Sequence, residues 1–282
     1  MTARVQAATA GLLVPPVHDL GDGAVTRVRA RLKSGIIDAI GGPPPGAPLE
    51  VGVPLLRRAR YRPELLGLAD EPFAWKPAFV RRSLGLEVVR ACASGRFRGP
   101  LAAVGPVADH AVESWRRTGW RTFHWEPWLA GLGAGARSVV LAEAVAWVTP
   151  VWSTFDWTAL RDVVDLGGPD DRWACPGVSV HLKGRVEARV RRHGARPSLL
   201  SVASGCPGNG WRDELAFLAL IGALAVPDRP VASRVVGLWP ESGFRLAVEV
   251  DEAALSGAVD RVVDAVAMCA DVRTAGPVPV LA

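Results

Sequence analysis

The stretch Trp211 to Leu224 is the strongest constraint on the fold. As a helix it is apolar nearly all round, through Leu215, Phe217, Leu218, Leu220 and Ile221, and a helix without a polar face has to be buried on every side. A chain of 282 residues is long enough to enclose such an element, with room for one large domain or two ordinary ones. The segments around it follow a different period. Val178, Val180 and Leu182 alternate with Ser179 and His181, and Val186, Ala188 and Val190 alternate with Arg185, Glu187, Arg189 and Arg191. This predicts two strands, and after a turn at Gly194 a third from Ser198 to Ala203. Beyond the apolar helix, Ser233 to Trp239 and Phe244 to Val250 read as two more strands. Asp251 is the expected N-cap of a last helix that carries Leu255, Val259, Val262 and Val266 in one stripe.

The amino-terminal half is helical in pattern. Residues 79–118 have helical spacing with a Gly/Pro break near Gly95 to Pro100, and Ala136 to Trp147 predict a helix that Pro150 stops. The run Gly41 to Pro48, GGPPPGAP, can continue neither a helix nor a central strand and reads as an extended connector. The expected organisation is a basic extension with its linker over 1–48, a helical, Trp-rich subdomain over 49–174 and an α/β core over 175–282. The expected fold class is α/β, a mixed central sheet flanked by helices with a helical amino-terminal half.

Composition excludes several classes. Hydrophobic residues make up 49% and charged residues 22%, which rules out extended disorder and fibrous structure. No uninterrupted apolar stretch reaches the ~18 residues of a membrane span, so no membrane association is expected. The first sixteen residues have one Arg and a short apolar run without a leader-like pattern, and the expected localisation is cytoplasmic. Cys92, Cys175, Cys206 and Cys269 lie too far apart for a zinc site and are expected to be buried free thiols.

The net charge of +5 is concentrated at one end: residues 1–62 hold nine Lys/Arg against four Asp/Glu, and the rest of the chain is balanced. Arg27, Arg29, Arg31 and Lys33 alternate, and Arg57, Arg58, Arg60 and Arg62 surround Tyr61. Such a segment suits a nucleic-acid backbone or an acidic partner, or else forms a solvated extension. Seven of the eleven Trp lie between positions 115 and 157. Interleaved with Arg116, Arg117, Arg121 and His124, they form either a stacking platform for single-stranded bases or part of the core, with Trp120 to Trp128 the most surface-like segment.

Two short motifs in the carboxy-terminal half carry a family resemblance. Gly184-Arg185-Val186-Glu187 is similar to a strand motif G-R-I-D, and Glu214-Leu215-Ala216-Phe217-Leu218 to a helix motif Q-L-x-x-Y. In their order and spacing these resemble the RecB-type branch of the PD-(D/E)XK nuclease superfamily over roughly residues 75–270. The resemblance implies a restriction-endonuclease-like core and a Mg²⁺ or Mn²⁺ ion held by carboxylates from adjacent strands, with a Lys beside them. The middle motif, D-x-K, is replaced here by Ser201-Val202-Ala203. A hydroxyl is a poor Mg²⁺ ligand and Ala supplies nothing. Leu84 to Val89, on the upstream helix, also lacks the family's His. Arg185 and Arg189, on the same strand face as Glu187, compete for its charge.

Three functional readings follow. The first is a catalytically degenerate RecB-like protein that binds DNA or supports a DNA-processing complex, with a helicase or defence-complex protein as partner. In it Glu187 is the remnant carboxylate, and Arg185, Arg212 and Arg121 are the DNA contacts. The second is a working Mg²⁺ or Mn²⁺ nuclease in which Glu143 has replaced the missing ligand, so that Glu143 and Glu187 are both the catalytic and the metal residues. The third is a structural scaffold. Ser204 to Gly210, between a strand end and a helix start, offers backbone N–H groups to an anion, and Cys206 within it is a rival nucleophile that would need His181 or His193 nearby.

Overall fold

The computed structural model describes residues 2–14, 20–21, 23–41, 48–66, 74–120, 124–167, 170–192, 195–226 and 229–275. The helices are α1 (Ala3–Leu13), α2 (Ala24–Ile40), α3 (Val53–Tyr61), α4 (Pro77–Ala93), α5 (Pro100–Thr118), α6 (Glu126–Ala130), α7 (Ala134–Thr154), α8 (Trp157–Leu160), α9 (Trp211–Leu224) and α10 (Glu252–Ala275). The strands are β1 (Leu49–Val51), β2 (Val164–Leu166), β3 (Asp171–Ala174), β4 (Val180–Gly184), β5 (Ala188–Arg192), β6 (Ala195–Val202), β7 (Arg234–Trp239) and β8 (Phe244–Glu249). They form a five-stranded sheet in the order β2-β5-β6-β7-β8 and a three-stranded sheet in the order β1-β4-β3. Both are mixed, because β6 and β7 run parallel, as do β1 and β4, while the other neighbours are antiparallel. The fold is mixed α/β, as the change of period implies.

The period of two separates the core into two halves across the larger sheet. Ala188, Val190, Leu200, Val202, Val236 and Leu238 face α1, α4, α5 and α7. Their neighbours Leu199 and Val235 face α9, α10 and the smaller sheet. The apolar segment 211–224 is the helix expected, and every residue from Leu215 to Leu224 is buried. It connects parallel β6 and β7 and packs against both sheets, α2 and α10. Asp251 caps α10, its carboxylate accepting the Ala254 N–H at 2.7 Å, and Leu255, Val259, Val262 and Val266 are all buried.

The amino-terminal basic segment differs from the separate extension expected over 1–48. Val28, Leu32 and Ile36 recur every fourth residue, so α2 has an apolar stripe that enters the core with α9 and α10. Arg27 and Arg31, one turn apart on its flank, pair with Glu252 and Asp260 of α10 at 2.9 and 2.6 Å. Ala8 and Leu12 of α1 enter the other core, and β1 is a strand of the smaller sheet. The connector expected at Gly41 to Pro48 falls mostly on 42–47, outside the described residues. The alternating charges hid the i, i+4 stripe of α2.

A second difference is at Pro150, which does not stop α7. Proline removes one N–H from the helix ladder, while Trp147, Val148 and Val151 on either side of it are buried against α4. Burial of that face outweighs one missing bond. The hydroxyls of Ser153 and Thr154 donate to the Pro150 carbonyl at 3.2 and 2.7 Å. Among the described residues no helix is long and apolar enough to cross a membrane.

Candidate functional site

A groove of about 540 Å³ opens where β6 and β7 end and α9 begins. In an open α/β sheet this is the place where strands diverge into loops and leave room for a ligand. Ser201 to Ser204 come from the end of β6, Gly237 and Trp239 from β7, and Lys183, Gly184 and Arg185 from the end of β4. Helix α9 contributes Glu214, Leu215 and Leu218, α4 contributes Phe79 and Arg82, and α3 contributes Arg57. The three motif segments of the sequence therefore meet at one groove, with Glu187 buried behind its wall.

Glu187 is fully buried, with 0% of its side chain exposed. One carboxylate oxygen accepts from the Arg82 guanidinium, and the other accepts the Val202 N–H at 2.6 Å. Its backbone is equally engaged: the N–H donates to Leu200 O and the carbonyl accepts from the Gly167 N–H, both at 2.8 Å. The competition expected from Arg185 and Arg189 does not occur. Arg185 stands 3.9 Å from Asp170, and Arg189 pairs with Asp171, which also binds Arg229 at 2.7 Å. The reason is topological. β4 ends at Gly184 and β5 starts at Ala188, so the chain changes sheets across 185–187 and the alternation of faces breaks there.

The donor set does not fit a divalent metal. Arg82 lies against the Glu187 carboxylate where a cation would have to bind, and a metal there would face both like charge and full desolvation. Ser201 and Ala203, which line the groove at the end of β6, supply neither a carboxylate nor an amine. Glu143 is half-buried on α7, a helix packed against α1, α4 and α5, and is not among the residues lining the groove. Among the described residues no group of three or more His, Cys, Asp or Glu could hold a metal ion.

The groove instead gathers cations. Arg57, Arg82, Lys183 and Arg185 line it, against Asp170 and Glu214. Arg57 makes a two-pronged bond to Glu214 at 2.6 and 2.7 Å, which raises the pKa of its guanidinium. Lys183 donates to Glu50 on β1 and so holds that carboxyl below its ordinary range. Arg212, expected as a phosphate contact, is exposed and stacks its guanidinium 5.2 Å from the Trp211 ring, outside the groove lining. Arg121 lies outside the described residues.

The loop before α9 is less open to an anion than its position implies. Its helix carries Asp213 and Glu214 in the first turn, paired with Arg60 and Arg57, so the positive end of the helix dipole is met by the helix's own carboxylates. Gly205 donates to Glu241, which Arg81 also binds at 2.6 Å, and Ser242 donates to the Gly205 carbonyl at 2.9 Å. Cys206 is exposed in this loop, unlike the three buried thiols, and burial pushes the Cys92 thiol up to about 11. His181 stands on β4 in register with Glu50, and His193 lies outside the described residues.

The Trp-rich segment is largely core. Trp125, Trp147 and Trp157 are buried, and Trp125 donates its indole N–H to Ser83 at 3.1 Å. Trp152 and Trp157 stack with ring centroids 6.4 Å apart. Trp120, 75% exposed, is the exception. Sequence reasoning missed Arg82 and Arg57 as groove residues. Arg81 and Arg82 stand together in the first half of a largely apolar helix, which is a signal, but only the fold joins Arg82 to a carboxylate 105 residues away. No protein-family model and no curated protein matches this chain.

Proposed function

We propose that the chain is a divergent RecB-like protein of the PD-(D/E)XK type that binds DNA in this groove without cutting it, as part of a DNA-processing assembly. The observation that carries the reading is the Glu187–Arg82 pair at the groove. In a nuclease of this type the carboxylate holds a metal ion. Here its charge is already neutralised by a guanidinium, and the neighbouring positions are Ser201 and Ala203. What remains is a cation-lined groove that suits a phosphate backbone.

The charges support binding over hydrolysis. Lys183 and Arg185 are half-exposed, and exposed ion pairs such as theirs contribute little stability. They can therefore exchange a carboxylate for a phosphate at small cost. Arg82 has five N–H donors and uses one on Glu187, so a buried carboxylate aims it while further donors face the groove.

The test is anisotropy of labelled single- and double-stranded DNA from 50 to 200 mM salt, with Mn²⁺ or EDTA, followed by a gel for products. Three or four phosphate contacts predict a slope of log affinity against log salt of about −3, with intact DNA in Mn²⁺. Replacing both Lys183→Ala and Arg185→Ala should reduce that slope by about 2. Mn²⁺-dependent cleavage that disappears in Glu187→Ala would overturn the non-cutting reading. Affinity that does not depend on salt would overturn the groove as a DNA site.

A further inference from the structure

Beside the groove is a second, smaller cavity of about 230 Å³, and Arg57 and Glu214 line both. Its floor is apolar, built by Leu56, Ala59, Tyr61, Ala265 and Met268. Two of these are unusually open for large apolar side chains, Tyr61 at 45% and Met268 at 41% exposure. The rim differs from the groove in its charge balance. Arg57 is paired with Glu214, Arg60 with Asp213, and Arg261 lies 3.6 Å from Asp213 and 3.8 Å from Asp264. The cations of both cavities have carboxylate partners, but two of the groove's, Glu187 and Glu50, stand outside its lining, so the groove wall itself presents four cations against two carboxylates while the rim presents three against three.

We propose that this cavity receives one unpaired base of a single DNA strand whose phosphates lie in the groove. The inference rests on the DNA-binding reading and narrows it to single strands. The two cavities divide the chemistry of a nucleotide. The groove's wall, which presents more guanidinium and ammonium donors than carboxylates, suits the backbone, and the evenly paired, apolar-floored cavity suits a flat ring. The paired rim offers carboxylate acceptors and guanidinium donors to the polar edge of a base without attracting a phosphate.

Size limits the occupant to a single ring system, because the cavity is smaller than the ~300 Å³ at which drug-sized sites begin. A stacked base pair does not enter. Tyr61 supplies an aromatic face, and the Arg60 guanidinium lies 5.4 Å from its ring centroid, so ring and cation are held together for stacking. The tyrosine hydroxyl also lies close over Gly210, where even a Cβ would come within 2.8 Å of it. A side chain at 210 would push the ring out of place.

The chain has one tyrosine, so the full-length protein labelled with 3-fluorotyrosine has a single ¹⁹F resonance, at Tyr61. An oligo(dT) strand should shift that resonance and a blunt duplex of equal length should not. Tyr61→Ala should weaken oligo(dT) binding about fivefold or more while leaving the salt slope and the duplex affinity unchanged. Tyr61→Phe, which keeps the ring, should bind like the wild type. Equal affinity for both forms of DNA, with a silent resonance and no effect of Tyr61→Ala, would overturn the base pocket and leave the groove standing. A resonance that moves with free thymidine but not with oligo(dT) would overturn it too, in favour of a small-molecule site. Failure of both DNA forms to bind the wild type would instead overturn the DNA-binding reading itself.

Discussion

Glu187 and Arg82 form an ion pair whose carboxylate is fully buried and whose guanidinium reaches the groove. A carboxylate with no exposed surface needs a counter-charge and hydrogen bonds, and it has both, from Arg82 and from the Val202 N–H. Arg82 is 39% exposed, so water shares in solvating the pair and its loss costs less than in a sealed core. Arg82→Met should therefore destabilise the protein by about 2 kcal/mol, because it leaves a buried carboxylate alone. Adding Glu187→Gln removes the stranded charge while an amide oxygen still accepts from Val202. The double variant should be more stable than Arg82→Met alone, by about 1 kcal/mol, in urea denaturation. If the two losses simply add, the pair is not what keeps Glu187 charged in the core. The sequence located Glu187 but not its partner, since nothing local links a helix residue to a carboxylate 105 positions later.

At the scale of elements, what was legible depended on length and period. Helix α9, the β5–β6 hairpin and α10 stood out because each holds one pattern over several turns or residue pairs. Strands β1, β2 and β3 have only three or four residues, too few for alternation to appear. Close approach between helices was equally invisible. A Cβ on Gly85 of α4 would lie 2.6 Å from Cε3 of Trp147 on α7, a ring that is itself buried. Gly257 of α10, by contrast, has nothing within 4 Å of its Cβ position. The two glycines predict opposite signs for one substitution. Gly257→Ala should stabilise by roughly 0.5–1 kcal/mol through helix propensity. Gly85→Ala gains the same propensity but must displace Trp147, and should destabilise by about 1–3 kcal/mol. Equal effects in urea denaturation would mean that the α4–α7 contact is looser than its geometry.

For the whole molecule, the question is what holds the basic amino-terminal segment. Charge pattern alone suggested an arm free to meet a partner, and its arginines do form ion pairs with α10. These pairs are half-exposed at both ends, so they orient α2 more than they anchor it. The anchor is apolar. Leu12, Val28, Leu32 and Ile36 are each at most 3% exposed and are divided between the two cores. At about 1.5–3 kcal/mol for each large side chain, their burial contributes roughly 6–12 kcal/mol, as much as the entire net stability of an ordinary domain. A chain beginning at Leu49 should therefore lose its cooperative thermal transition and expose to association the apolar surfaces that α1 covers on the larger sheet and α7 and that α2 covers on α10. Replacing Arg27→Ala and Arg31→Ala together in the full chain should leave the melting curve nearly unchanged. A truncated chain that still melts sharply, within about 5 °C of the full one, would show that the sheet and α9 close without α1 and α2. The segment would then be an arm after all, with its charge available to a partner. If instead the truncated chain collapses, the segment is part of the core through its apolar stripe, and binding has to be sought at the groove.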